Sequence, residues 1–335
     1  MGHGVGTVEG AGFNQRIPLD NGSVKFTRDW REGLEANGPV DSRLHVIRID
    51  GEDGEVIAGW VRFAVHPACV IFDAPLSAEY PGYMSEKLSE TVSSGAPVLY
   101  AYGAAGDVTC IPMFGTESDT KKLGLRIAET AVGIFDRLKT KTPRHFQIGS
   151  ATVDIPLAAM PSVEVLDKEI EEIEQFKEDL DVDPTLEWVI GINCKKDWPV
   201  ETKKAHVSVL SNWAKLARKA VKQGKTFPKT WPSVISGLVI DDLALVYYPG
   251  EPFTRIGLGL SARAPMAETL LMAKTNGDNG YLGTDDDIKR GGYEMYTFSR
   301  SFMMAEDLRP LPYATGAAEC FLSTALEMID NLSKK

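Results

Sequence analysis

The sequence predicts an α/β fold in which a mixed sheet is flanked by helices. Two observations support this prediction. Alternating apolar runs typical of strands are interleaved with apolar residues at helical spacing, and a second series of strands begins after the middle of the chain. Interleaved strands and helices are the pattern of layered α/β domains. With 335 residues, the chain is long enough for one large domain or two modest ones.

The elements of the first half follow from local signals. Alternation, an Asp-Gly turn and apolar spacing predict strands at 43–50, 56–65 and 97–108, and helices at 80–94 and 117–138. The first two strands form a hairpin, and the third is a buried strand that runs into a glycine-rich loop. The opening twelve residues are rich in glycine and carry no signal for the start of a strand or helix.

A charged helical excursion is predicted at about 160–225. Residues 162–180 form a highly charged amphipathic helix, and a second helix follows at about 200–223. A lid or a flank of the core is one interpretation of this pair. A solvated helical pair without a direct role is favoured, because charge-rich helices usually lie on the surface.

The second half returns to strands. The sequence predicts a strand at 143–156, a hairpin of two apolar strands at 234–248, a helix from about 254, a strand near 267–277, a long polar loop at 276–294 and a final helix at 312–333. These elements complete the mixed sheet and its helical cover.

Charge and cysteine content exclude several classes of protein. Lys and Arg number 36 against 47 Asp and Glu, which gives a net charge of −11. Nucleic-acid binders rely on clustered Lys and Arg, so we expect no nucleic-acid partner. The four cysteines contain no Cys-x-x-Cys pair, which argues against a zinc finger. No run approaches the roughly 18 apolar residues that span a bilayer, and the start lacks the pattern of a signal peptide.

Several residues stand where chemistry is often found, and each also has a structural explanation. His66 ends an apolar strand, where packed histidines outnumber ligands. The segment 103–107, Gly-Ala-Ala-Gly-Asp, either offers backbone N–H groups to an anion or makes a tight turn. Glu251 at a helix start is favoured by the helix dipole alone. Tyr281 and Tyr293 in the polar loop are typical of amphipathic packing.

The order of these motifs is more informative than any single motif. The chain carries a strand followed by His-Pro, then Gly-Ala-Ala-Gly-Asp-Val, Pro-Gly-Glu-Pro-Phe-Thr, Gly-Tyr-Leu-Gly-Thr and Gly-Gly-Tyr-Glu. In this order they resemble the neutral/alkaline, non-lysosomal ceramidase family, in particular its bacterial members, over most of the chain. The resemblance implies one ceramidase-like catalytic domain over residues 1–335.

The resemblance also implies one Zn²⁺ site. The family holds its zinc by two histidines, a glutamate and a tyrosine, and three of these match His66, Glu251 and Tyr281. The other family histidine belongs to a His-x-His segment far upstream of the family's Asn-Arg motif. We therefore expect the chain to correspond to a family domain without its N-terminal part, and without the C-terminal immunoglobulin-like domain of larger ceramidases.

Catalytic and substrate-binding residues follow from the same resemblance. The family's Gly-Asp-Val-Ser segment contains a catalytic aspartate and serine, and it matches Asp107 and Thr109, where threonine stands in place of serine. Asn14 and Arg16 match, more loosely, a family Asn-Arg-Ser segment that holds substrate. Tyr293 or Arg16 is suited to stabilise an oxyanion, and we assign Tyr293 to catalysis.

The implied function is zinc-dependent hydrolysis of an N-acyl amide, ceramide-like or other. A bound zinc lowers the pKa of its water from about 15.7 to about 7 and polarises the carbonyl. The expected partner is a small-molecule or lipid-like amide substrate. The alternative is an inactive or incomplete ceramidase-like fragment that binds a ligand or partner chain, which the missing histidine and Thr109 favour. A metal-dependent phosphoesterase is less favoured, because Asp/His clusters are absent from the sequence.

Overall fold

The computed structural model describes residues 1–70, 76–92, 95–188, 194, 196–302 and 309–334, so the end of the helix predicted at 80–94 lies outside the described residues. The strands are β1 Gly2–Thr7, β2 Gly12–Asn14, β3 Arg16–Pro18, β4 Val24–Phe26, β5 Arg43–Asp50, β6 Val56–Phe63, β7 Val98–Tyr102, β8 Val108–Cys110, β9 Phe146–Pro156, β10 Thr230–Ile240, β11 Leu243–Tyr247, β12 Glu251–Pro252, β13 Glu268–Met272 and β14 Tyr281–Leu282. The helices are α1 Trp30–Ala36, α2 Glu79–Val92, α3 Glu117–Phe135, α4 Val163–Val182, α5 Val200–Lys222, α6 Thr254–Arg263, α7 Asp285–Arg290, α8 Phe298–Phe302 and α9 Ala317–Ser333, with a π-helical turn at Tyr293–Thr297.

Two four-stranded mixed sheets lie face to face between helices. Their strand orders are β1-β5-β6-β7 and β13-β11-β10-β9, and the pairs β6–β7 and β11–β13 are parallel. On β11, Leu243 and Leu245 pack against Ile47 of the first sheet, whereas Ala244 and Val246 pack on the helical side. The layers therefore run helix, sheet, sheet, helix. The predicted α/β fold with mixed strands flanked by helices is confirmed, with two large sheets in place of one.

The hairpin predicted at 43–50 and 56–65 is confirmed, because β5 and β6 pair antiparallel. The chain start is different from the prediction, since residues 2–7 form edge strand β1. A Cβ atom on Gly4 would lie 2.8 Å from Ile134 Cγ2 and 2.9 Å from Leu138 Cδ2. The glycines at the start therefore allow β1 to approach α3 closely, and the packing outweighs their low strand propensity.

The helical excursion is packed against the body of the protein. Leu166 and Ile170 of α4, with Trp213 and Ala214 of α5, belong to the same hydrophobic cluster as the second sheet. At the tip of the pair, the buried Lys203 ammonium donates to the backbone oxygens of Pro184, Leu186 and Lys196, at 2.8, 2.9 and 2.9 Å. The interpretation as a solvated pair is wrong for this inner face, which flanks the core.

The polar loop predicted at 276–294 contains a short helix. Thr284 caps α7 by accepting a hydrogen bond from the Asp287 backbone N–H, and the Asp287 carboxylate accepts one from the Thr284 N–H, which completes a capping box. The sequence Thr-Asp-Asp-Asp carries this signal, which the prediction of a loop overlooked. No helix within the described residues is long and apolar enough to cross a bilayer.

The short parallel pair of β12 and β14 positions two of the predicted ligands. Glu251 is paired with Tyr281 in the register of this ladder. The Glu251 N–H donates to Gly280 O at 2.9 Å, and the Phe253 N–H donates to Leu282 O at 2.9 Å. Because β12 follows β11 and precedes α6, Glu251 lies beyond the carboxyl end of a central strand, where α/β sheets commonly carry their sites.

Gly106 allows the loop after β7 to pack against this pair. Its N–H donates to Pro252 O at 3.0 Å. A Cβ atom at this position would lie 2.5 Å from Glu251 O and 3.0 Å from Tyr281 Cδ1. We expect Gly106→Ala to lower the free energy of unfolding by about 1–3 kcal/mol, because overpacking would push the two strands away from the loop. Urea unfolding measures this change.

Gly259→Ala is the matched control for this substitution. Gly259 lies in α6, and a Cβ there would meet no heavy atom within 4 Å. Alanine has the higher helix propensity, so the control is expected to be neutral or stabilising by up to about 1 kcal/mol. Equal stability changes in the two variants would show that the close approach at Gly106 is unimportant.

Candidate functional site

His66 is held at the end of the first sheet by two backbone contacts and one tyrosine. Its N–H donates to Val108 O at 3.1 Å, next to the bridge that it forms with Thr109. Its Nδ1 lies 2.6 Å from Tyr102 Oη, and the Tyr102 hydroxyl donates to Ala105 O at 3.2 Å. Nδ1 also lies 3.3 Å from Ala105 O, so an imidazole with its proton on Nδ1 would donate to this carbonyl or to Tyr102 and turn the Nε2 lone pair toward Glu251, as metal-binding histidines do.

Glu251 meets this imidazole with one oxygen and a lysine with the other. Its Oε2 lies 3.1 Å from His66 Nε2, and its Oε1 lies 2.7 Å from Lys274 Nζ. The contact with His66 lacks the alignment of a hydrogen bond, so Oε2 is a buried oxygen without a hydrogen-bond partner in the described part of the chain. Burial raises the pKa of Glu251, but Lys274 and the protonated form of His66 outweigh it, and the net pKa is lowered.

Tyr281 completes the set beside Glu251. Paired residues of neighbouring strands project to the same face of the ladder, so both side chains lie on one side of the β12–β14 pair. Burial, and then the negative charge of Glu251, raises the pKa of Tyr281 well above its usual value. Without a bound metal ion, the Tyr281 side chain is a neutral phenol.

A cavity of about 270 Å³ opens beside these groups. It is lined by Gln15, Phe26, Arg28, His66, Ala68, Thr109, Met113, Phe114, Tyr281 and Tyr293. Thr109 is buried, and its Oγ1 has no hydrogen-bond partner among the described residues. The cavity therefore brings together four of the predicted site residues, and one of them, Thr109, has an unsatisfied hydroxyl.

Asp107 lies behind the cavity wall, in a network that joins distant segments. Its Oδ1 accepts hydrogen bonds from the backbone N–H and the hydroxyl of Thr254, at 2.7 and 2.8 Å, and its Oδ2 accepts one from Asn14 Nδ2 at 2.7 Å. Burial raises the pKa of Asp107 to about 6, although these hydrogen bonds oppose the shift. The structure places both Asn14 and Asp107 in this network and not among the lining residues of the cavity.

Arg16 is also engaged away from the cavity. Its guanidinium forms a buried ion pair with Glu294 and donates to Gly291 O at 2.9 Å. The neighbouring Gln15 lines the cavity instead, and its Nε2 donates to Glu294 Oε1 at 2.9 Å. Glu294 thus fixes both side chains.

The donor set fits part of a zinc site. An imidazole nitrogen and a carboxylate oxygen 3.1 Å apart match two ligands of one tetrahedral ion, whose ligand atoms are separated by roughly 3.3 Å when the bonds are ~2 Å. The orphaned Glu251 Oε2 and the adjacent Nε2 of His66 are the observations that favour a cation. No group of three or more His, Cys, Asp and Glu suited to a metal occurs in the described ranges. The Tyr281 phenol, paired with Glu251 in the β12–β14 ladder, is the neighbouring group that could add a third donor.

Two solved structures share this architecture. The chain superimposes on a neutral ceramidase from Pseudomonas aeruginosa with a TM-score of 0.61 at 17% identity, and on a ceramidase complexed with C2 with a TM-score of 0.60 at 16% identity. The chain has the fold of the neutral ceramidases. The matches cover 99% of this chain but 52% and 53% of the other two, so the chain spans about half the length of the structures it matches. Neither a family profile nor a curated protein matches the sequence.

On this ceramidase fold, sequence reasoning missed several residues next to the site. Tyr102 orients His66, Thr254 binds Asp107, and Lys274 pairs with Glu251. Thr254 is the last residue of the Pro-Gly-Glu-Pro-Phe-Thr motif, so its position was a usable signal. Tyr102 ends strand β7, which pairs with the parallel strand β6, and His66 follows shortly after β6. The sequence therefore also carried a signal that Tyr102 lies near His66. Lys274 had no such signal, because exposed lysines after strands are common.

The raised pKa of Asp107 predicts a pH-dependent stability. A carboxyl whose pKa rises from 3.8 in the unfolded chain to about 6 in the fold destabilises the protein as it ionises. Stability should therefore fall by about 2 kcal/mol from this group as the pH rises from 4 to 7. Asp107→Asn removes the titration, so the stability advantage of the parent protein over the variant should shrink by that amount. Urea unfolding in EDTA across this range measures the difference.

Asp20→Asn serves as the control, because Asp20 is exposed. Its unfolding free energy should run parallel to that of the parent protein over the same pH range. If the Asp107→Asn curve is also parallel, the carboxyl is already ionised at pH 4 in the fold, and the predicted shift is wrong.

Proposed function

We propose that this protein is a zinc-dependent hydrolase of N-acyl amides. The observation that carries the proposal is the 3.1 Å contact between His66 Nε2 and the otherwise unsatisfied Glu251 Oε2. Support also comes from the ceramidase fold and from the cavity that His66 and Tyr281 line. In the proposal, His66, Glu251 and Tyr281 hold the metal.

A bound zinc would supply a water of lowered pKa and polarise the amide carbonyl. The chain's own residues do the rest. Tyr102 fixes the imidazole of His66, and Asp107 holds Thr254 and Asn14 so that the β12 end of the site is rigid. Such surrounding partners typically change metal affinity or activity about 10–100-fold when they are removed.

Three lining residues are assigned to the substrate. The unsatisfied hydroxyl of Thr109 is placed to donate to the amide or to its departing nitrogen. Tyr293 has a pKa raised to about 12 by burial, so it remains a neutral donor that can stabilise an oxyanion. Asn14 and Arg16 were predicted to hold substrate, but the residue of segment 14–16 that lines the cavity is Gln15. In the proposal, Arg16 and Asn14 act on the substrate only through Glu294 and Asp107.

The substrate class follows from the cavity wall. Aromatic and apolar side chains from Phe26, Met113 and Phe114 surround the polar groups. Met113 and Phe114 also line an adjoining groove of about 770 Å³. Pockets of ~300–1,000 Å³ with a few convergent polar groups are typical of small-ligand sites. An amide with an apolar acyl chain fits the combined space.

Zinc titration of the metal-free protein tests the proposal. We expect one saturable site, and Glu251→Gln or His66→Ala should weaken the zinc affinity at least ~100-fold, because the loss of a ligand exceeds the loss of a supporting partner. Hydrolysis of an N-dodecanoyl amide should fall in parallel. Isothermal titration calorimetry and amine release measure the two effects.

His206→Ala is the matched control for the ligand variants. His206 is a partly exposed histidine on the adjoining groove, and its Nδ1 lies 3.0 Å from Thr202 O. Its zinc affinity should equal that of the parent protein. An absence of saturable zinc binding in the parent protein would falsify the proposed metal site.

A second function is favoured by one observation, the ammonium of Lys274. It lies 2.7 Å from Glu251 Oε1 and 2.9 Å from Asp278 Oδ2, so it already neutralises the carboxylate. In this interpretation the chain is a ceramidase-like module that binds a ligand or partner without catalysis. The ammonium takes the place of a metal as the counter-ion of Glu251.

Lys274→Met separates the two functions. Without zinc, the variant should lose about 1–2 kcal/mol, less than a fully buried pair would cost, because the Lys274 side chain is 38% exposed. If the site binds zinc, the variant should bind it more tightly, because no ammonium competes for Glu251, and zinc should restore the lost stability. Thermal unfolding with and without zinc measures both effects.

Lys139→Met, at an exposed lysine, controls for the general loss of a positive charge. It should change neither the stability nor the zinc response. If zinc fails to restore the Lys274→Met variant, Glu251 does not bind the metal, and the binding module is the better description.

A further inference from the structure

Arg28 occupies an unusual position between the two cavities. Its guanidinium carbon lies 5.6 Å from the ring centre of Phe26, 5.2 Å from that of Phe114 and 5.4 Å from that of Trp198. Three aromatic rings therefore hold it at cation–π distance. Arg28 lines both the inner cavity beside His66 and the outer groove.

The charge of Arg28 is not balanced by a carboxylate. No ion pair to Arg28 occurs within the described residues, and its Nε is buried without a hydrogen-bond partner there. Burial lowers the pKa of Arg28, and the groups that oppose this shift are Tyr293 and Cys194, neither of which is a carboxylic acid. Arg28 as a whole is partly exposed, so its unpaired charge is directed at the cavity and the groove that it lines.

The inner cavity has a cationic lining residue although the protein carries a net charge of −11. Among the described residues that line it, Arg28 is the only Arg or Lys, and neither Asp nor Glu is present. The outer groove carries both signs. There Arg31 lies 3.9 Å from Asp29, and Asp197 also lines the wall. The Arg28 guanidinium is thus a positive charge without a carboxylate partner on the inner-cavity side of the wall between the two cavities.

We propose that Arg28 binds a carboxylate on the amine part of the substrate, so that the preferred substrates are N-acyl amino acids. This assignment rests on the proposed amide hydrolase. A guanidinium offers two parallel N–H donors that match a carboxylate, and the three rings restrict its orientation. The acyl chain then lies along Trp198 and Phe114 of the outer groove, and the amide lies between Arg28 and His66.

Two matched probes test this assignment by direct binding. N-dodecanoylglycine and N-dodecanoylethanolamine differ in one group, a carboxylate against a hydroxymethyl. In metal-free protein with EDTA, we expect the carboxylate to bind at least ~10-fold more tightly, because a charge-assisted pair adds to a shared acyl contact. Arg28→Gln should reduce this preference to within about twofold and leave the affinity for the ethanolamide unchanged. Calorimetry or quenching of tryptophan fluorescence reports binding.

Arg28→Lys keeps the charge without the planar fork, and it should show an intermediate preference. It also keeps the test decisive if Arg28→Gln does not fold. Arg31→Gln is the control, because Arg31 is an exposed arginine of the outer groove that stacks on Trp30 at 4.4 Å. Its preference for the carboxylate should equal that of the parent protein.

Three results would overturn the assignment: equal affinity of the parent protein for both probes, binding of neither probe, or an equal loss of preference in Arg31→Gln and Arg28→Gln. Hydrolysis of the same probes with zinc separates this inference from the proposed function. Preferential binding of the glycine conjugate without hydrolysis supports Arg28 and contradicts the hydrolase. Hydrolysis of both probes without preference contradicts the role of Arg28 and supports the hydrolase.

Discussion

The parallel pairing of β12 with β14 is the constraint on which the site depends. It places Glu251 beside Tyr281, although they are far apart in the chain. His66 arrives from the other large sheet and meets the same carboxylate. The two sheets are joined at this seam, since the Ala273 N–H donates to Tyr102 O at 2.8 Å and Tyr102 in turn fixes His66. The geometry of His66, Glu251 and Tyr281 is thus a property of the sheet junction.

Buried carboxylates extend this constraint to the N-terminal segment. Glu294 binds Arg16 and Gln15, while Asp107 binds Asn14 and Thr254. Both carboxylates tie strands β2 and β3 to elements far along the chain. Removing one partner of such a pair leaves a buried group unpaired, so these contacts stabilise the cavity wall more than their number suggests. Rigid support of this kind holds reactive groups in place.

The sequence predicted the elements whose local signals agree. It did not predict the features that depend on tertiary packing or on strand register. The hairpin of β5 and β6 and the helix α3 have strong periodicity, so they were predictable. Strand β1 was missed because its glycines matter only against α3. The segment 14–16 shows the limit of a motif match. Successive residues of an extended chain point to opposite sides, so a shift of one residue puts Gln15 in the cavity and Arg16 on Glu294.

Lys274 would have two opposing effects on a metal in the proposed site. Its ammonium lowers the pKa of Glu251, so the carboxylate stays ionised and extended toward His66 when no metal is present. The same ammonium and the phenolic proton of Tyr281 must both give way to a dication. Metal binding by such groups releases protons, so the affinity should rise with pH. A lysine that keeps Glu251 ionised therefore also competes with a metal for this carboxylate. The strength of the competition separates two cases: a site that binds metal weakly, and a module in which the Lys274 ammonium replaces the metal.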